Sequence, residues 1–413
     1  MDADAARTQN LERLHSWAKT YWNLDGVGFY QDPDKGIGIV ALQDLPEHKT
    51  IAASSTNYIL SRSSSQEKLN GCLSDILIKQ QEGLFADYWK NNLWLTMGLI
   101  TEFLNESSQF RPYLDSLPRH ILHPVYFGFE DVRILSQTMT FENSVKLTEE
   151  ILLQYVTVYR TITDNKASCA KYGLSPTQFT LDLYLWGASV VFTRGFGESG
   201  EEGDLFLYPV LDMMNHQPEA SMETLQYEDD ASFYVYTKRD IKKGEEILYE
   251  YNPVTSSMDT FLNSWGMVIS EASVFLTVHL YPIDPGYQKK LLALEEAALE
   301  PVRLVYLRRK PNDSSDIVVS KEDWTFLSIL ATGQNVTTDF QAVWEKLLHE
   351  VNDWIDSYEF SLSTLSTMKQ TVKPEQKLRH LALDYAMEEQ KYFRDLKIRI
   401  ESKLSLNSYK TEL

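Results

Sequence analysis

Residues 207–216 read LYPVLDMMNH, an apolar run that ends in Asp212, Asn215 and His216. The run predicts a buried strand, and its end collects several hydrogen-bonding groups at one place. Buried polar groups need partners, and a cluster of them is harder to explain as core packing than a single one. We therefore predict a functional site where this strand ends.

A second segment, residues 238–253, reads KRDIKKGEEILYEYNP and carries two tyrosines near its end. Tyr249 and Tyr251 are separated by one residue, so on a strand both side chains point to the same face. Core packing is the ordinary role for either ring, and a place in a catalytic pocket is the alternative. The question is which chemistry needs this segment together with the Asn-His pair.

Gly36 and Gly38 stand in residues 32–42, DPDKGIGIVAL. A dinucleotide fingerprint needs a strand before its glycines and a helix after them, and here the order is reversed. A Rossmann site is therefore disfavoured. Two glycines at the start of a strand let a ligand approach the backbone closely, and an ordinary hairpin entry is the alternative.

Arg194 ends a predicted helix in residues 186–196, WGASVVFTRGF. A guanidinium there complements the negative end of the helix dipole. It also suits a carboxylate ligand, which it can bind with two parallel hydrogen bonds. The sequence leaves both roles open.

Charge and cysteine content exclude several classes of function. The chain has 413 residues and a net charge of −20, which disfavours nucleic-acid binding and favours either a basic partner or simple solubility. Its two cysteines cannot form a four-thiolate zinc site, and no histidine follows His216 at a spacing of two or four residues. We expect no metal, no signal peptide, no membrane span and a reducing compartment, the cytoplasm or the nucleus.

The order of the patterns predicts an α+β protein, because strands and helices fall into separate blocks. The first segment, 1–80, begins with a helix and continues with strands. It is followed by a helical insertion (81–190), a second strand-rich segment (191–275) and a helical tail (276–413). Ser175-Pro176 is typical of a helix start. Residues 287–309, YQKKLLALEEAALEPVRLVYLRR, have a helical pattern.

Five stretches, in this order, resemble the SET-domain protein methyltransferases. They are most similar to the branch with a split SET domain and a helical substrate-binding domain, typified by the Rubisco large-subunit lysine methyltransferase. The matching stretches are KGIGIVALQDL (35–45), FRPYLDSLP (110–118), WGASVVFTRGF (186–196), LYPVLDMMNH (207–216) and GEEILYEYNPVTSSMDTFLNSWGMV (244–268).

The resemblance implies a β-rich fold in which the chain threads under a loop as a pseudoknot, with S-adenosylmethionine as the cofactor and no metal. It implies Tyr251 as the catalytic residue and Tyr249 as packing. The implied cofactor-binding residues are Lys35, Gly36, Ile37, Gly38, Arg194, Asn215 and His216. The implied substrate-binding residues are Arg194, Phe196, Asp212, Tyr227 and Trp265.

The resemblance also bears on the acceptor. Lysine methyltransferases of this family have an aromatic residue at the position of Phe196, whereas the related actin-histidine enzyme has an asparagine there and a tryptophan at the position of Leu211. Lysine is therefore expected. Histidine methylation, and a catalytically silent SET fold that only binds a partner, are the alternatives.

The expected partner is a protein that presents a lysine, a basic component of translation such as a ribosomal protein or an elongation factor, because related fungal enzymes modify these. The enzyme is expected to be a monomer that binds neither nucleic acid nor membrane. Trp265 stands where relatives often have tyrosine, and its bulk is expected to limit the number of methyl groups added.

Overall fold

A computed structural model describes most of the chain. The described residues are 3–32, 35–80, 86–197, 204–217, 222–227, 232–251, 256–309, 317–334 and 339–405. All statements about the structure below concern these residues.

The chain begins with a helix, and strands and helices then follow one another largely in blocks. The helices are α1 (Ala3–Tyr21), α2 (Arg62–Gln80), α3 (Ala86–Leu104), α4 (Arg111–Ser116), α5 (Phe129–Ile134), α6 (Phe141–Asp164), α7 (Lys166–Cys169), α8 (Leu181–Arg194), α9 (Met258–Trp265), α10 (Tyr287–Glu296), α11 (Lys321–Thr332), α12 (Phe340–Ser357), α13 (Leu362–Thr371) and α14 (Lys377–Ser405). The strands are β1 (Val27–Asp32), β2 (Gly36–Ala41), β3 (Thr50–Ser55), β4 (Leu60–Ser61), β5 (Gly195–Gly197), β6 (Leu205–Leu207), β7 (Asn215–His216), β8 (Met222–Tyr227), β9 (Ser232–Thr237), β10 (Glu246–Tyr249), β11 (Val274–His279), β12 (Val302–Arg309) and β13 (Ile317–Val319). The predicted α+β class is confirmed.

The chain forms two compact units, and each is built from more than one segment. The first unit comprises 1–121 and 149–253, and the second comprises 122–148 and 254–413. Each unit has its own hydrophobic core. These two units are defined by how compactly their residues pack. The four segments predicted from the sequence were defined by the order of the motifs, and the boundaries of those segments stay predictions.

A four-stranded sheet in the first unit has the order β1-β2-β10-β7. Strand β10 pairs with β2 on one side, where Ile247 lies opposite Ile39. On its other side it runs parallel to β7, with Leu248 opposite Asn215 and Tyr249 opposite His216. Because the two segments are neighbours in one sheet, the Asn-His pair lies directly beside the tyrosine-bearing segment.

Residues 207–216 are not one continuous strand, contrary to the prediction. Strand β6 ends at Leu207, a single 3₁₀ turn covers Leu211–Met213, and β7 begins at Asn215. Pro209 has no N–H for a strand ladder, and Val210 has a φ of 87°, which is incompatible with an extended chain. The break turns the polar end of the run back into the unit instead of letting the strand continue.

The helix that carries Arg194 begins later than Ser175-Pro176. Helix α8 starts at Leu181, and its N-terminus is capped by Thr180, whose hydroxyl accepts the Leu183 N–H at 3.2 Å. Ser175 and Pro176 belong to the preceding turn. The Thr180 hydroxyl provides a hydrogen-bond acceptor for a free N–H of the first helical turn, which a proline in that turn does not do. The helix therefore begins after Thr180.

The second unit is mostly helical, and it also contains the three-stranded sheet β11-β12-β13. The prediction of one helical pattern over 287–309 is wrong for its second half, because α10 ends at Glu296 and β12 covers Val302–Arg309. Pro301 disfavours a continuing helix, and the side chains of Val302–Leu307 alternate between exposed and more buried positions, as on a strand.

Cys72 of α2 and Cys169 of α7 form a disulfide in the first unit. The sequence indicated a reducing compartment from the small number of cysteines, and it did not predict their pairing. The compartment stays a prediction. No helix within the described ranges is both long enough and apolar enough to cross a membrane.

A buried carboxyl group holds three parts of the second unit together. Glu389 is fully buried in α14 and accepts hydrogen bonds from the Tyr358 hydroxyl at 2.7 Å, the Met139 N–H at 3.1 Å and the Trp354 indole N–H at 3.4 Å. Burial raises the pKa of Glu389 to about 7, although these donors oppose the shift. The folded protein therefore binds this proton more tightly than the unfolded chain does.

We expect this carboxyl to make stability depend on pH. Its contribution is complete below the unfolded pKa of 4.5 and is lost as the pH rises through about 7. Between pH 5 and 8, the free energy of unfolding should fall by roughly 3 kcal/mol more in the wild type than in Glu389→Gln, which cannot ionise. Denaturant unfolding at several pH values measures this, and parallel pH profiles for the two proteins would contradict it.

Candidate active site

Tyr251 is fixed against the end of β7 by two hydrogen bonds. Its hydroxyl donates to the Met214 carbonyl at 2.6 Å, and its backbone N–H donates to His216 Nδ1 at 3.1 Å. The Tyr251 and His216 rings lie 5.2 Å apart. The phenol and the Asn-His pair therefore belong to one site.

Tyr249 and Tyr251 do not share a strand face, contrary to the prediction. Strand β10 ends at Tyr249, and Tyr251 lies beyond it. The Tyr249 ring packs edge-on against Phe196 at 5.6 Å, and Phe196 packs edge-on against Tyr208 at 5.5 Å. Tyr249, Phe196 and Tyr208 thus form an aromatic group in the same unit as Tyr251.

The Tyr251 hydroxyl keeps its proton over the whole physiological range. Burial raises the pKa of Tyr251 to about 12, the Arg194 charge opposes this shift, and the negative charges of Asp212 and Glu246 add to it. A neutral phenol can donate and accept hydrogen bonds, but it is not a base at pH 7 to 9. Tyr251 can therefore orient a reacting group without removing its proton.

Arg194 ends α8, as predicted, and its guanidinium reaches the turn before β7. One Nη1 hydrogen bond goes to the Asp212 carbonyl, and the Met213 sulfur lies 3.7 Å from the same nitrogen. The cation therefore stands within the same polar cluster as Tyr251 and Asp212.

The Asp212 side chain is buried, with 4% of its surface exposed, and it accepts a hydrogen bond from the Tyr113 hydroxyl. Its Oδ1 atom has no hydrogen-bond partner within the described ranges. Burial raises the pKa of Asp212 to about 7, while Arg194 and Tyr113 oppose the rise. Its predicted contact with the substrate stays a prediction.

Gly36 and Gly38 form the glycine turn at the start of β2, and their surroundings differ. Gly36 has a φ of 86°, and a Cβ atom there would meet nothing within 4 Å, so the turn borders open space. A Cβ atom on Gly38 would lie 2.5 Å from the Tyr30 ring, so this glycine is needed for the tyrosine to pack. Of these two glycines, Gly36 is the one with space for a ligand beside its backbone among the described residues.

Asn215 is held by a carboxylate on the neighbouring strand. Its Nδ2 donates to Glu246 Oε1 at 2.7 Å, and Lys35 Nζ lies 3.3 Å from Glu246 Oε2. The Tyr30 hydroxyl hydrogen-bonds to Glu246 and to Asn215. Burial acts to raise the pKa of Glu246, but the hydrogen bonds from Asn215, Tyr30 and Lys35 hold it below its usual range.

A family profile described as the SET domain matches residues 36–252. The match covers just over half of the chain and includes β2, the Arg194 helix, the Asn215-His216 pair and Tyr251. The chain belongs to the SET domain family. The fold and the family predicted from the sequence are both confirmed.

Curated relatives of this SET protein include actin-histidine N-methyltransferases. The protein described by that name from Danio rerio is 28% identical over 253 residues, and the one from Xenopus tropicalis is 26% identical over 252 residues. Each alignment covers 60% of this chain and 41% or 42% of the relative. The chain therefore matches about two fifths of the length of these relatives.

Solved structures with the same fold include Rubisco LSMT. The structure described as bound to AdoMet has a TM-score of 0.69 and 17% identity, and covers 96% of this chain and 92% of that one. The structure bound to sinefungin and monomethyllysine has a TM-score of 0.70 and 16% identity, and covers 97% and 93%. At this identity the likeness concerns the fold alone.

The SET unit brings together most of the predicted site residues. The structure places Arg194, Phe196, Asp212, Asn215, His216 and Tyr251 around one end of the sheet. The Tyr227 backbone is in β8, and its side chain lies outside the described part of the chain. Trp265 is in α9 of the second unit, where its ring packs at 5.4 Å from Phe261. The roles of Tyr227 and Trp265 stay predictions.

Three residues of the site were not predicted from the sequence as functional. Tyr113, within the FRPYLDSLP stretch, contacts Asp212, while Tyr30 and Glu246 surround Asn215. Glu246 belongs to the GEE phrase that helped to identify the family. No sequence signal assigned Glu246 a role beyond its place in this phrase.

Proposed function

We propose that this chain is an S-adenosylmethionine-dependent protein methyltransferase that methylates a side-chain nitrogen. The observation that carries the proposal is the contact between Tyr251 and the end of β7, where the hydroxyl binds the Met214 carbonyl and the N–H binds His216. This contact joins a neutral, half-buried tyrosine to the Asn-His pair on which the family places its cofactor.

The groups at the site fit the amino-acid end of the cofactor. Arg194 provides a cation for a carboxylate, and the Asn215 amide has an oxygen that can accept from an ammonium group. The open space at Gly36 allows close approach to the backbone. The cofactor supplies a methyl group already activated on a sulfonium sulfur, so the protein needs to provide alignment and a neutral nucleophile.

In the transfer, the acceptor nitrogen forms a bond to the methyl carbon as the carbon–sulfur bond breaks, and a neutral thioether is left. Alignment of the two reactants is worth roughly 7–11 kcal/mol at best. Tyr251 contributes to this alignment by orienting the acceptor through hydrogen bonds. It does not remove a proton, because its raised pKa keeps the phenol neutral. An acceptor beside the aromatic group of Phe196, Tyr208 and Tyr249 would lose part of its hydration, which favours its uncharged form.

Histidine is the acceptor favoured by the relatives, which are 26–28% identical and are described as actin-histidine N-methyltransferases. Its chemistry suits this site. An imidazole has an unperturbed pKa of about 6.5, so it is mostly neutral at pH 7.5 and needs no base to become a nucleophile. A site whose tyrosine cannot remove a proton can use such an acceptor directly.

Lysine, the acceptor predicted from the sequence, is favoured by Phe196. This aromatic residue contacts Tyr249 and Tyr208, and an apolar surround of this kind favours a neutral amine by desolvation. Because lysine has an unperturbed pKa of about 10.4, its deprotonation must be driven by that surround or by solvent. A basic component of translation remains the proposed lysine-bearing substrate, in the cytoplasm or the nucleus.

The two acceptors predict different pH dependences. With histidine, kcat/KM should level off above about pH 7, and with lysine it should keep rising towards pH 9 or beyond. Purified protein is incubated with radiolabelled S-adenosylmethionine and either actin or a cell lysate lacking this protein, and the labelled residue is mapped by mass spectrometry. A methylated carboxylate or cysteine would contradict both assignments.

The same purified protein can be used to distinguish an active enzyme from a catalytically silent SET fold. Calorimetry with S-adenosylmethionine reports cofactor binding without any protein substrate. Absence of binding would remove the proposed function altogether.

A further inference from the structure

Glu246 lies at the centre of the sheet that carries the site. It is in β10, between β2 on one side and β7 on the other. Its backbone pairs with Val40 of β2, and its carboxylate reaches Asn215 of β7 and the Lys35 side chain before β2. One side chain therefore connects the glycine turn with the Asn-His pair.

The carboxylate decides which way the Asn215 amide faces. An ionised carboxylate only accepts hydrogen bonds, so the Asn215 atom 2.7 Å from Glu246 must be the donor, Nδ2. Tyr30, the second polar neighbour, hydrogen-bonds to both residues. With Nδ2 engaged by Glu246, the amide presents its acceptor, Oδ1, to the other side.

The direction of this amide matters for the ligand. The amino-acid end of the cofactor carries an ammonium, which only donates, and a carboxylate, which only accepts. An asparagine that presents Oδ1 suits the ammonium, whereas an inverted amide would place two donors against it. Arg194 provides the complementary cation for the carboxylate.

We propose that Glu246 is a positioning residue that orients the Asn215 amide for the ammonium group of S-adenosylmethionine. This inference rests on the proposed function. Glu246 acts through Asn215 and touches no reacting atom, so it should govern cofactor affinity more than the rate of methyl transfer. Its ion pair with the exposed Lys35 adds little energy of its own.

The test measures binding of S-adenosylhomocysteine by calorimetry. Glu246→Met removes the acceptor at similar size and should raise Kd about tenfold or more, while kcat at saturating cofactor stays within about threefold. Glu246→Gln keeps a carbonyl acceptor for Asn215 and should stay within about threefold of the wild-type Kd. Glu245→Met, the adjacent and partly exposed residue paired with Arg239, is the matched control and should bind as the wild type does.

A double variant separates positioning from folding. Asn215→Asp places two carboxylates against each other and should weaken binding about 100-fold, since like charges at this distance repel strongly. Adding Glu246→Gln lets the glutamine amide donate to the introduced carboxylate, which restores an oriented acceptor and should recover most of the affinity. Glu246→Met in the same background relieves the charge repulsion without supplying a donor, so a positioning role predicts a larger recovery with glutamine than with methionine.

Wild-type affinity in Glu246→Met, or a double variant no better than Asn215→Asp, would overturn the role of Glu246. If the wild-type protein itself fails to bind S-adenosylhomocysteine, the proposed function fails instead. Thermal unfolding of each variant checks that the fold is retained, so that a loss of binding can be assigned to the site.

Discussion

Tyr251→Phe should lower kcat by about 100-fold or more while the Kd for S-adenosylmethionine changes less than about threefold. The variant keeps the ring that packs against His216 and loses only the hydroxyl. That hydroxyl is the group that binds the Met214 carbonyl and that can orient the acceptor nitrogen. Because the phenol is neutral in the wild type, the loss is one of alignment and not of proton removal.

Tyr249→Phe is the matched control for this experiment. Its ring packs against Phe196 in the aromatic group, and we expect turnover within about threefold of the wild type. Single-turnover kinetics with saturating cofactor separate chemistry from binding and product release. Equal turnover in Tyr251→Phe and the wild type would remove Tyr251 from its catalytic role.

Gly266→Ala should be among the most destabilising single substitutions in the second unit. Gly266 ends α9 with a φ of 64°, and a Cβ atom there would lie 1.7 Å from the Leu122 carbonyl oxygen. Left-handed backbone costs alanine roughly 1–2 kcal/mol, and the collision with main-chain atoms of a second segment adds to that cost. We expect a total loss of about 4 kcal/mol or more in the free energy of unfolding.

Gly286→Ala isolates the backbone part of this effect. Gly286 has a φ of 71°, and a Cβ atom there would meet nothing within 4 Å. Its substitution should cost roughly 1–2 kcal/mol. Calorimetric unfolding of both variants gives the difference, and similar losses for the two would mean that the second unit moves to relieve the contact at Leu122.

The sequence predicted the neighbourhood of the site because its signals are local. The apolar run before Asn215-His216, the helix that ends at Arg194 and the segment with Tyr251 each show a pattern within about ten residues. Their order matched one family, and the parallel pairing of β7 with β10 agrees with the predicted proximity. The closeness of the Asn215-His216 pair to the Tyr251 segment could therefore be predicted from the sequence.

The details that failed depend on contacts between distant residues or on single backbone angles. Pro209 disfavours a strand ladder within the predicted strand, but no pattern in the sequence signals the φ of 87° at Val210. The packing of Tyr30 of β1 against Gly38 of β2 was not predicted, and the cofactor-binding role of Gly38 stays a prediction. The hydrogen bond between Asn215 and Glu246 joins residues 31 positions apart, and no pattern in either segment indicates it.

The second unit is built from two separate segments of the chain, and this limits which truncated proteins can fold. A fragment ending near residue 253 would retain residues 122–148 without the core they belong to, which would leave Ile134, Leu135 and Met139 exposed to water. Such surfaces promote aggregation. Loss of activity in a truncated protein would therefore reflect loss of solubility. The catalytic roles of individual residues are better tested by single substitutions in the full chain.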